Sequence, residues 1–325
     1  MKKILTLVTL MLVVFSSLAG CGGGNKAKEA GAPAPEKLKE LRVTYVKSPL
    51  NIPLIVGKYN QTLDKSFAKD KVKVTFPDIN SGAKQTEALA AGSLDICSAL
   101  GGTSAILAAS NGVDLKIVGI FSRAPKAFNI MVKDTAIKSP QDLKGKKVAG
   151  PKGTILHQIL VAYLAQGGLK ESDVEFVSLG IPESVNALMS GKVDAALVAG
   201  ADVLRAQKAG ATVLTNGEGL VDATIVTAVS GKFLKEHPAA VKQYLDAIRS
   251  DLKFMQDKPD QAYEFTAKET GLTADAVKLM APWYNFDPTI TPADITDLEK
   301  TQDFLMSNGM QKNKIDIKKI IATVK

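Results

Sequence analysis

An eight-residue motif occurs twice in the chain, and this repeat constrains the fold more than any other feature. Residues 88–95 read ALAAGSLD and residues 187–194 read ALMSGKVD, an offset of 187 − 88 = 99 residues. In both copies, predicted strands and a predicted helix flank the motif in the same order, within a chain where strands and helices alternate as in parallel α/β layers. Short matches also arise by chance, but the shared flanking order favours two related α/β halves.

The loops that follow the strands are the candidates for a binding site, because ligand sites of open α/β sheets form beyond the carboxyl ends of the strands. Each half offers three such loops, which are rich in Gly, Ser, Thr and Pro. They are residues 47–49, 80–82 and 100–103 in the first half, and 151–154, 180–183 and 200–202 in the second. Each loop alone is equally well explained as a helix cap. Six loops that face one cleft favour a site for a polar or anionic group.

The N-terminus has the pattern of an exported, lipid-anchored protein. Lys2 and Lys3 precede an apolar run over residues 4–15. This run is about half the ~20 residues that span a bilayer, so residues 1–20 are interpreted as a secretory signal peptide. Residues 18–21 read LAGC and resemble the lipobox of bacterial lipoproteins, which makes Cys21 the predicted lipidation site. The alternative is an ordinary signal peptide with a chance cysteine at its boundary.

A flexible tether is expected between this anchor and the folded part. Residues 21–40 continue with three glycines and then mix Lys, Glu, Ala and Pro without apolar periodicity. Such a segment cannot bury enough surface to fold. The remaining 325 − 40 = 285 residues exceed one compact core and fit two lobes.

Charge and cysteine usage exclude several classes of function. The formal charge of +8 becomes 8 − 2 = +6 without Lys2 and Lys3, and the like charges form no long block, which argues against nucleic-acid binding. With Cys21 acylated, Cys97 has no disulfide partner and is interpreted as a buried, inert thiol. The chain has two His and neither a nucleophile elbow nor a phosphate loop. We therefore expect a monomer without catalytic residues, metal or cofactor.

Three stretches carry a resemblance to a known family. They are the motifs within residues 81–104, 142–157 and 290–309, and the second, DLKGKKVA followed by KGT and His157, is the most specific. Over about residues 41–320, the chain resembles the substrate-binding proteins of the nitrate/sulfonate/taurine and thiamine-precursor ABC importers, the SsuA/THI5-like proteins.

The resemblance implies a fold and a division into lobes. The fold is an α/β, two-lobe, periplasmic-binding-protein-like fold of type II, with two crossing strands as the hinge. We place these strands near Ala127–Val132 and Ala223–Val229, and we expect the C-terminal helices to return to lobe 1. Lobe 1 then comprises residues 41–126 plus 226–325, and lobe 2 comprises residues 127–225.

The resemblance also implies ligand contacts. Carried over by position, these are Ser48, Ser81, Gln85, Thr103, Gly153, Thr154 and His157, and two further loop residues, Gly102 and Asp202, complete the predicted site. His157 lies one turn into its helix and is equally well explained as a surface histidine. Trp283 either closes one end of the pocket or belongs to the core.

The most specific expectation concerns the ligand's anionic end. The segment Lys152–Thr154 opens a predicted helix, whose dipole places roughly half a positive charge at its N-terminus. Gly153 allows the backbone to approach closely and the Thr154 hydroxyl is a donor, so a sulfonate or carboxylate is expected there. Thr154 as a plain helix cap is the alternative. Glu183 and Asp202 are the candidates for holding the ammonium group of a zwitterion.

The resemblance implies the function of an extracytoplasmic substrate-binding component of an ABC importer, whose partners are a permease and an ATPase. The lipid on Cys21 would anchor it to the outer face of the cell membrane, or to the periplasmic side in a two-membrane cell. Its solute would be small and anionic or zwitterionic, such as a sulfonate or a taurine-like compound.

Three alternatives to this function stay open. Sulfonate binders tend to carry a Trp-Asp-Pro-Tyr-like turn where this chain has Ala199–Asp202, so the solute is alternatively a thiamine-pyrimidine or another aromatic or heterocyclic compound. A lipoprotein sensor or adhesin is the second alternative. An enzyme of the same fold is the third, and it is disfavoured because the Cys-rich motif of the thiamine-pyrimidine synthases is absent from the sequence.

Overall fold

Strands and helices alternate in a computed structural model, which describes residues 37–47, 50–79 and 81–324. The strands are β1 (Glu40–Arg42), β2 (Lys73–Thr75), β3 (Ile96–Gly101), β4 (Leu115–Arg123), β5 (Phe128–Val132), β6 (Lys147–Gly150), β7 (Glu175–Ser178), β8 (Ala195–Ala199), β9 (Thr212–Asn216) and β10 (Thr224–Ser230). The helices are α1 (Ile52–Asn60), α2 (Thr62–Phe67), α3 (Gly82–Ala90), α4 (Gly102–Ser110), α5 (Ile155–Gln166), α6 (Ile181–Met189), α7 (Ala201–Lys208), α8 (Gly231–Glu236), α9 (Pro238–Asp257), α10 (Pro259–Thr270), α11 (Ala274–Met280) and α12 (Pro292–Ser307).

Two sheets organise these elements, and both have the same strand order. In the first, β3-β10-β4 are hydrogen-bonded neighbours, and the parallel pair β1-β2 joins them through a bridge between Val43 and Ile96, which gives the order β2-β1-β3-β10-β4. The second sheet has the order β7-β6-β8-β5-β9. In each sheet, the fourth strand in this order, β10 or β5, runs antiparallel to its neighbours. Each half is therefore built on the same α/β plan.

The predicted repeat is confirmed at the level of single residues. Helices α3 and α6 begin 181 − 82 = 99 residues apart, strands β3 and β8 begin 195 − 96 = 99 apart, and helices α4 and α7 begin 201 − 102 = 99 apart. The last residue of each motif copy also makes the same hydrogen bond. Asp95 accepts the backbone N–H of Arg42 at 2.8 Å, and Asp194 accepts that of Lys147 at 2.8 Å. The motif thus joins the start of β3 to β1 in the first half, and the start of β8 to β6 in the second half.

The chain passes between the two sheets twice. It leaves the first sheet after β4, enters the second with β5, and returns to the first between β9 and β10. The segments predicted as crossing strands coincide with β5 and β10, but each of these lies within one sheet. The crossings are residues 124–127 and 217–223, directly before them. Ala223, at the end of the return, has a φ of 52°, a left-handed conformation that costs a non-glycine residue about 1–2 kcal/mol.

The helices that follow β10 pack on the first sheet's side, as expected. Helix α9 packs against α1 and α2, α12 packs against α4, and Ile321 forms a bridge with Ile117 of β4. Helix α9 buries Val241, Tyr244 and Ile248. This spacing gives one apolar face to an otherwise polar, 20-residue helix.

The central strands carry apolar runs because helices cover both faces of each sheet. All five residues of β5 and of β8 are buried, a pattern typical of doubly covered sheets. Cys97 of β3 is fully buried, and burial raises the pKa of its thiol to about 12. The prediction that this thiol is buried is confirmed, and its raised pKa disfavours the reactive thiolate.

The predicted signal peptide (residues 1–20) and Cys21 lie outside the described residues, as does most of the predicted tether (residues 21–40). The end of the tether was placed too late, because Glu40 begins β1 and the carbonyl of Lys39 accepts the N–H of Lys73 at 2.9 Å. No helix in the described part of the chain is both long enough and apolar enough to cross a membrane.

Candidate functional site

The carboxyl ends of the parallel strands carry the loops predicted to bind ligand. In the second sheet, β6, β7 and β8 run parallel and lead into α5, α6 and α7. In the first sheet, β1, β2 and β3 lead towards α1, α3 and α4. Ser48, a predicted ligand contact, lies outside the described residues, as do Pro49 and Asn80 of the same loops.

The first turns of α4 and α5 face each other and bring the edges of the two sheets together. The hydroxyl of Thr103 on α4 donates to Oε1 of Gln158 on α5, with 3.4 Å between the oxygens. Ile155 Cδ1 lies 3.7 Å from the position that a Cβ on Gly101 would occupy. The residues at this junction include four of the predicted site residues, Gly102, Thr103, Gly153 and Thr154.

Gly102 and Thr103 open α4 beside the returning chain. A Cβ on Gly102 would lie 2.8 Å from Leu298 Cδ2 and 3.0 Å from the carbonyl oxygen of Thr224, so only glycine fits. Thr103 is 1% exposed, and its hydroxyl is directed at α5. Gly102 therefore allows the close packing that places the Thr103 hydroxyl at the junction.

Gly153 and Thr154 form the loop that opens α5. Gly153 has a φ of 71°, which favours glycine, and its N–H donates to His157 Nδ1 at 3.4 Å. Thr154 occupies the N-cap position, but its hydroxyl donates to the carbonyl of Pro151 at 2.9 Å and makes no capping hydrogen bond. The donors that remain for an anion are the backbone N–H groups of the first turn of α5, which have no intrahelical acceptor.

His157 is fully buried, so the interpretation as a surface histidine is wrong. Its Nε2 lies 3.2 Å from an oxygen of Glu171 without the alignment of a hydrogen bond, and its ring packs against Phe176 with 4.6 Å between centroids. Burial lowers the pKa of His157, although Glu171 acts in the opposite direction. Burial thus favours the neutral imidazole, and its Nδ1 accepts the N–H of Gly153 in the loop before α5.

Ser81 and Gln85 belong to α3, beside the first turn of α4. Ser81 is the exposed N-cap of α3, and the Cβ position of the next residue, Gly82, meets the side chain of Ser104. Gln85 is 1% exposed, and its Nε2 donates to the carbonyl of Ile79 at 3.0 Å. Its Oε1 has no hydrogen-bond partner among the described residues. Because an unpaired buried amide oxygen is costly, this atom is a candidate acceptor for a ligand donor.

Asp202 and Trp283 lie outside the α4–α5 junction. Asp202 in the first turn of α7 pairs with Arg205 at 3.2 Å, and burial raises the pKa of its carboxyl although Arg205 opposes the shift. Its charge is balanced within its own helix, which weakens the expectation that it holds an ammonium group. Trp283 is partly buried and packs against the apolar cluster that contains Val185 and Val203, which favours a packing role.

A small cavity at the junction contains residues that sequence reasoning missed. Its lining includes Thr103, Gln158, Thr224, Asp297 and Thr301. Asp297 is 8% exposed and accepts the hydroxyl of Thr224 at 2.6 Å, and burial raises the pKa of its carboxyl. The sequence could have indicated Gln158 as a site residue, because it follows Thr154 by four residues and so lies on the same side of α5. No sequence pattern could have indicated Thr301, because 143 residues separate it from its partner Gln158.

The side chains that could ligate a metal are dispersed. Among the residues for which the structure gives positions, no group of His, Cys, Asp and Glu is arranged to hold an ion.

Comparisons with known proteins identify relatives along nearly the whole chain. A family model described as NMT1/THI5 like matches residues 66–262, more than half of the chain. A protein of Bacillus subtilis (strain 168), provisionally named aliphatic sulfonates-binding protein, is 31% identical over 328 residues. That alignment covers 99% of this chain and 95% of the relative.

Two solved structures share the fold. The alkanesulfonate-binding protein SsuA from Xanthomonas axonopodis pv. citri, bound to MOPS, is 24% identical with a TM-score of 0.80, over 90% of this chain and all of that one. The periplasmic aliphatic sulphonate binding protein SsuA from Escherichia coli is 26% identical with a TM-score of 0.78, over 88% of this chain and 93% of that one. The expected fold class, the two-lobe α/β fold of periplasmic binding proteins, is confirmed.

Proposed function

The chain belongs to the NMT1/THI5-like family, and we propose that it is the extracytoplasmic substrate-binding component of an ABC importer. Its ligand is a small organic sulfonate, or a similar anionic or zwitterionic solute, held between the carboxyl edges of the two sheets. One observation carries this proposal. Over 99% of its length, the chain is similar to the Bacillus subtilis protein that is provisionally named an aliphatic sulfonates-binding protein. The contact between the first turns of α4 and α5, one from each half, supports a site between the two edges.

The anionic group binds at the N-terminus of α5. This helix has 12 residues, its first N–H groups lack intrahelical acceptors, and its dipole adds roughly half a positive charge there. Gly153 lets the ligand approach the backbone closely because it has no side chain. Lys152 lies 3.9 Å from Glu171, which balances part of its charge. Glu171 therefore offsets part of the attraction that Lys152 would add to that of the backbone N–H groups.

Ligand binding closes the two lobes. Lobe 1 is built on the first sheet, lobe 2 is built on the second, and the two crossings act as the hinge. A solute that touches both edges binds the closed arrangement more tightly than the open one, and so shifts the equilibrium towards closure. The permease recognises the closed monomer, and its ATPase drives transport from the other side of the membrane. Such a cycle requires no catalytic residue and no cofactor.

The protein is exported and anchored by lipid to the outer face of the cell membrane, or to the periplasmic side in a two-membrane cell. Support comes from the basic, apolar and LAGC segments of residues 1–21. We expect Cys21→Ser to move the protein from the membrane fraction to the soluble fraction, as measured by fractionation and immunoblotting. Cys97→Ser is the matched control and should leave the protein in the membrane. An acylated, membrane-bound Cys21→Ser protein would contradict the anchor.

Calorimetric titration tests the ligand class. Hexanesulfonate and taurine are compared with heptanoate, which has the same hexyl chain as hexanesulfonate but a planar carboxylate, and with a 4-aminopyrimidine. We expect a sulfonate to bind one to one, and to stabilise the protein by about 2.7 kcal/mol at a hundredfold excess over Kd. If only the aminopyrimidine binds, the heterocyclic alternative suggested by Ala199–Asp202 holds instead. If none of the four binds, the proposed ligand class is wrong.

A further inference from the structure

Helix α12 packs on the core of the first half, although it is far from that core in sequence. Leu298 and Leu305, seven residues apart, are 1% and 0% exposed. They belong to the same apolar cluster as Ala105 and Ile106 of α4. This face of α12 is therefore a fixed part of the first half.

A neighbouring face of α12 contacts the return crossing and the second half. It consists of Asp297, Thr301 and Phe304, the α12 stripe, whose i, i+4, i+7 spacing places them on one side of the helix. Asp297 accepts the hydroxyl of Thr224, the first residue of β10 directly after the return crossing, at 2.6 Å. Thr301 accepts Nε2 of Gln158 at 3.1 Å, and the ring of Phe304 meets that of His157 edge-on with 6.5 Å between centroids.

Gln158 of α5 is a residue of the second half that bonds to the first half. It is 5% exposed, and both ends of its amide are hydrogen-bonded to the first half. Nε2 donates to Thr301 of α12, and Oε1 accepts the hydroxyl of Thr103 of α4. Because a buried amide that loses its partners is costly, these bonds favour the arrangement in which the two edges are in contact.

The contact lies on the cleft side of the molecule. Gln158 follows the N-cap of α5 by four residues, and Thr103 is the second residue of α4. Both positions belong to the first turns that follow the carboxyl ends of strands, where ligand sites form. Separating the two edges therefore breaks both hydrogen bonds, and closing them restores both.

We infer that the α12 stripe and Gln158 form a latch that stabilises the closed arrangement and thereby sets the affinity for solute without touching it. This inference rests on the proposed function, since it links closure to affinity. Asp297, Thr301 and Phe304 are positioning residues in this role. They tune the closing equilibrium from lobe 1, whereas the solute is held at the N-terminus of α5.

Distance measurements without ligand test the latch directly. Spin labels are placed at Glu87→Cys on α3 and Lys208→Cys on α7, which are exposed positions of the two halves. The background is the full chain with Cys21→Ser, whose remaining native thiol, Cys97, is fully buried and escapes labelling. The distance distribution then reports the closed fraction by pulsed electron paramagnetic resonance.

Two variants remove the latch, and one matched variant leaves it intact. Thr301→Val keeps the shape of the side chain but removes the hydrogen-bonding oxygen, and Gln158→Leu removes both hydrogen bonds. Thr296→Val makes the same change on an exposed face of α12, where the hydroxyl bonds only within the helix. We expect the first two variants to lengthen the mean distance without ligand, and to weaken hexanesulfonate binding about three- to tenfold for each hydrogen bond removed. Thr296→Val should change neither quantity.

The outcomes separate the latch from other roles of the same residues. Parent-like distances and affinity in both latch variants would overturn the inference, and so would tighter binding. A loss of affinity for hexanesulfonate with an unchanged ligand-free distance would show that these residues contact the solute instead. If the parent binds no sulfonate, the proposed function fails, while the ligand-free distances still decide whether the contact holds the halves together. Melting temperatures close to that of the parent confirm that the variants fold.

Discussion

At the scale of single residues, the loop before α5 offers two kinds of donor for an anion: the hydroxyl of Thr154 and the backbone N–H groups of the first turn. The Thr154 hydroxyl donates to Pro151, so its hydrogen is used within the loop. The backbone N–H groups of the first turn carry the partial positive charge instead. A side chain at position 154 therefore affects binding mainly through the charge and volume that it adds in front of these N–H groups.

Thr154→Glu should weaken hexanesulfonate binding at least tenfold, about 1.4 kcal/mol, because its carboxylate takes the place of the anion. Thr154→Gln is the matched control, since it adds the same volume without the charge. Both variants lose the hydrogen bond to Pro151, at a cost of about 1 kcal/mol in the free energy of unfolding. Calorimetric titration of the two variants checks the difference. Equal affinities in Thr154→Glu and Thr154→Gln would place the anion elsewhere.

Sequence reasoning predicted where α5 begins. A Gly-Thr pair before a helical pattern predicts free backbone donors, and α5 does begin there. The use of the Thr154 hydroxyl within the loop was not predictable, because it depends on where the carbonyl of Pro151 points. The contact of Gln158 with Thr301 was also inaccessible, because no local pattern reports which distant helix will pack against α5.

At the scale of elements, the repeat predicted where secondary structure begins but not how each strand joins a sheet. The 99-residue offset holds for the starts of α3 and α6, β3 and β8, and α4 and α7. The predicted crossings fell on β5 and β10, which each lie within one sheet. An apolar run shows that a strand is buried, but it does not show which strand it pairs with. The pairing is determined by how the chain connects the strands and by packing.

Helix α9 buries the carboxyl of Asp251 where it packs on α1 and α2, and the effect of this carboxyl on stability is testable by its pH dependence. Asp251 of α9 is 1% exposed, its Oδ1 accepts the hydroxyl of Thr62, and its Oδ2 has no hydrogen-bond partner among the described residues. Burial raises the pKa of Asp251 from its ordinary 3.8 to about 7. Between these pH values the native state holds a proton that the unfolded chain has released, so the contribution of Asp251 to stability falls as pH rises.

Asp251→Asn should remove this pH dependence, because an amide does not ionise. Relative to the parent, we expect the variant to gain up to about 4 kcal/mol in the free energy of unfolding between pH 4 and pH 8, as measured by urea denaturation. Asp246→Asn, at an exposed position of the same helix, is the control and should show no such gain. A difference between Asp251→Asn and parent that stays constant from pH 4 to pH 8 would contradict the raised pKa.

At the scale of the whole molecule, the two halves repeat one strand order, and the chain crosses twice between them. Length and the internal repeat were sufficient to predict two lobes, and the resemblance added the identity of the fold. The position of α12 between the halves was not predictable, because its hydrogen bond to the second half joins Thr301 to Gln158, which is 143 residues away in sequence. In the proposed function one solute contacts both halves, which is consistent with the contact between the carboxyl edges of the two sheets at α4 and α5.

Small-angle X-ray scattering of the Cys21→Ser protein, with and without saturating hexanesulfonate, tests the central claim most directly. We predict a smaller radius of gyration with the sulfonate than without it. We also predict that the scattering curve of the bound protein matches this structure, in which the edges at α4 and α5 are in contact. Thr154→Glu at the same concentration of hexanesulfonate should show less contraction. Calorimetric binding of the sulfonate with an unchanged radius of gyration would contradict the claim that the solute closes the two halves.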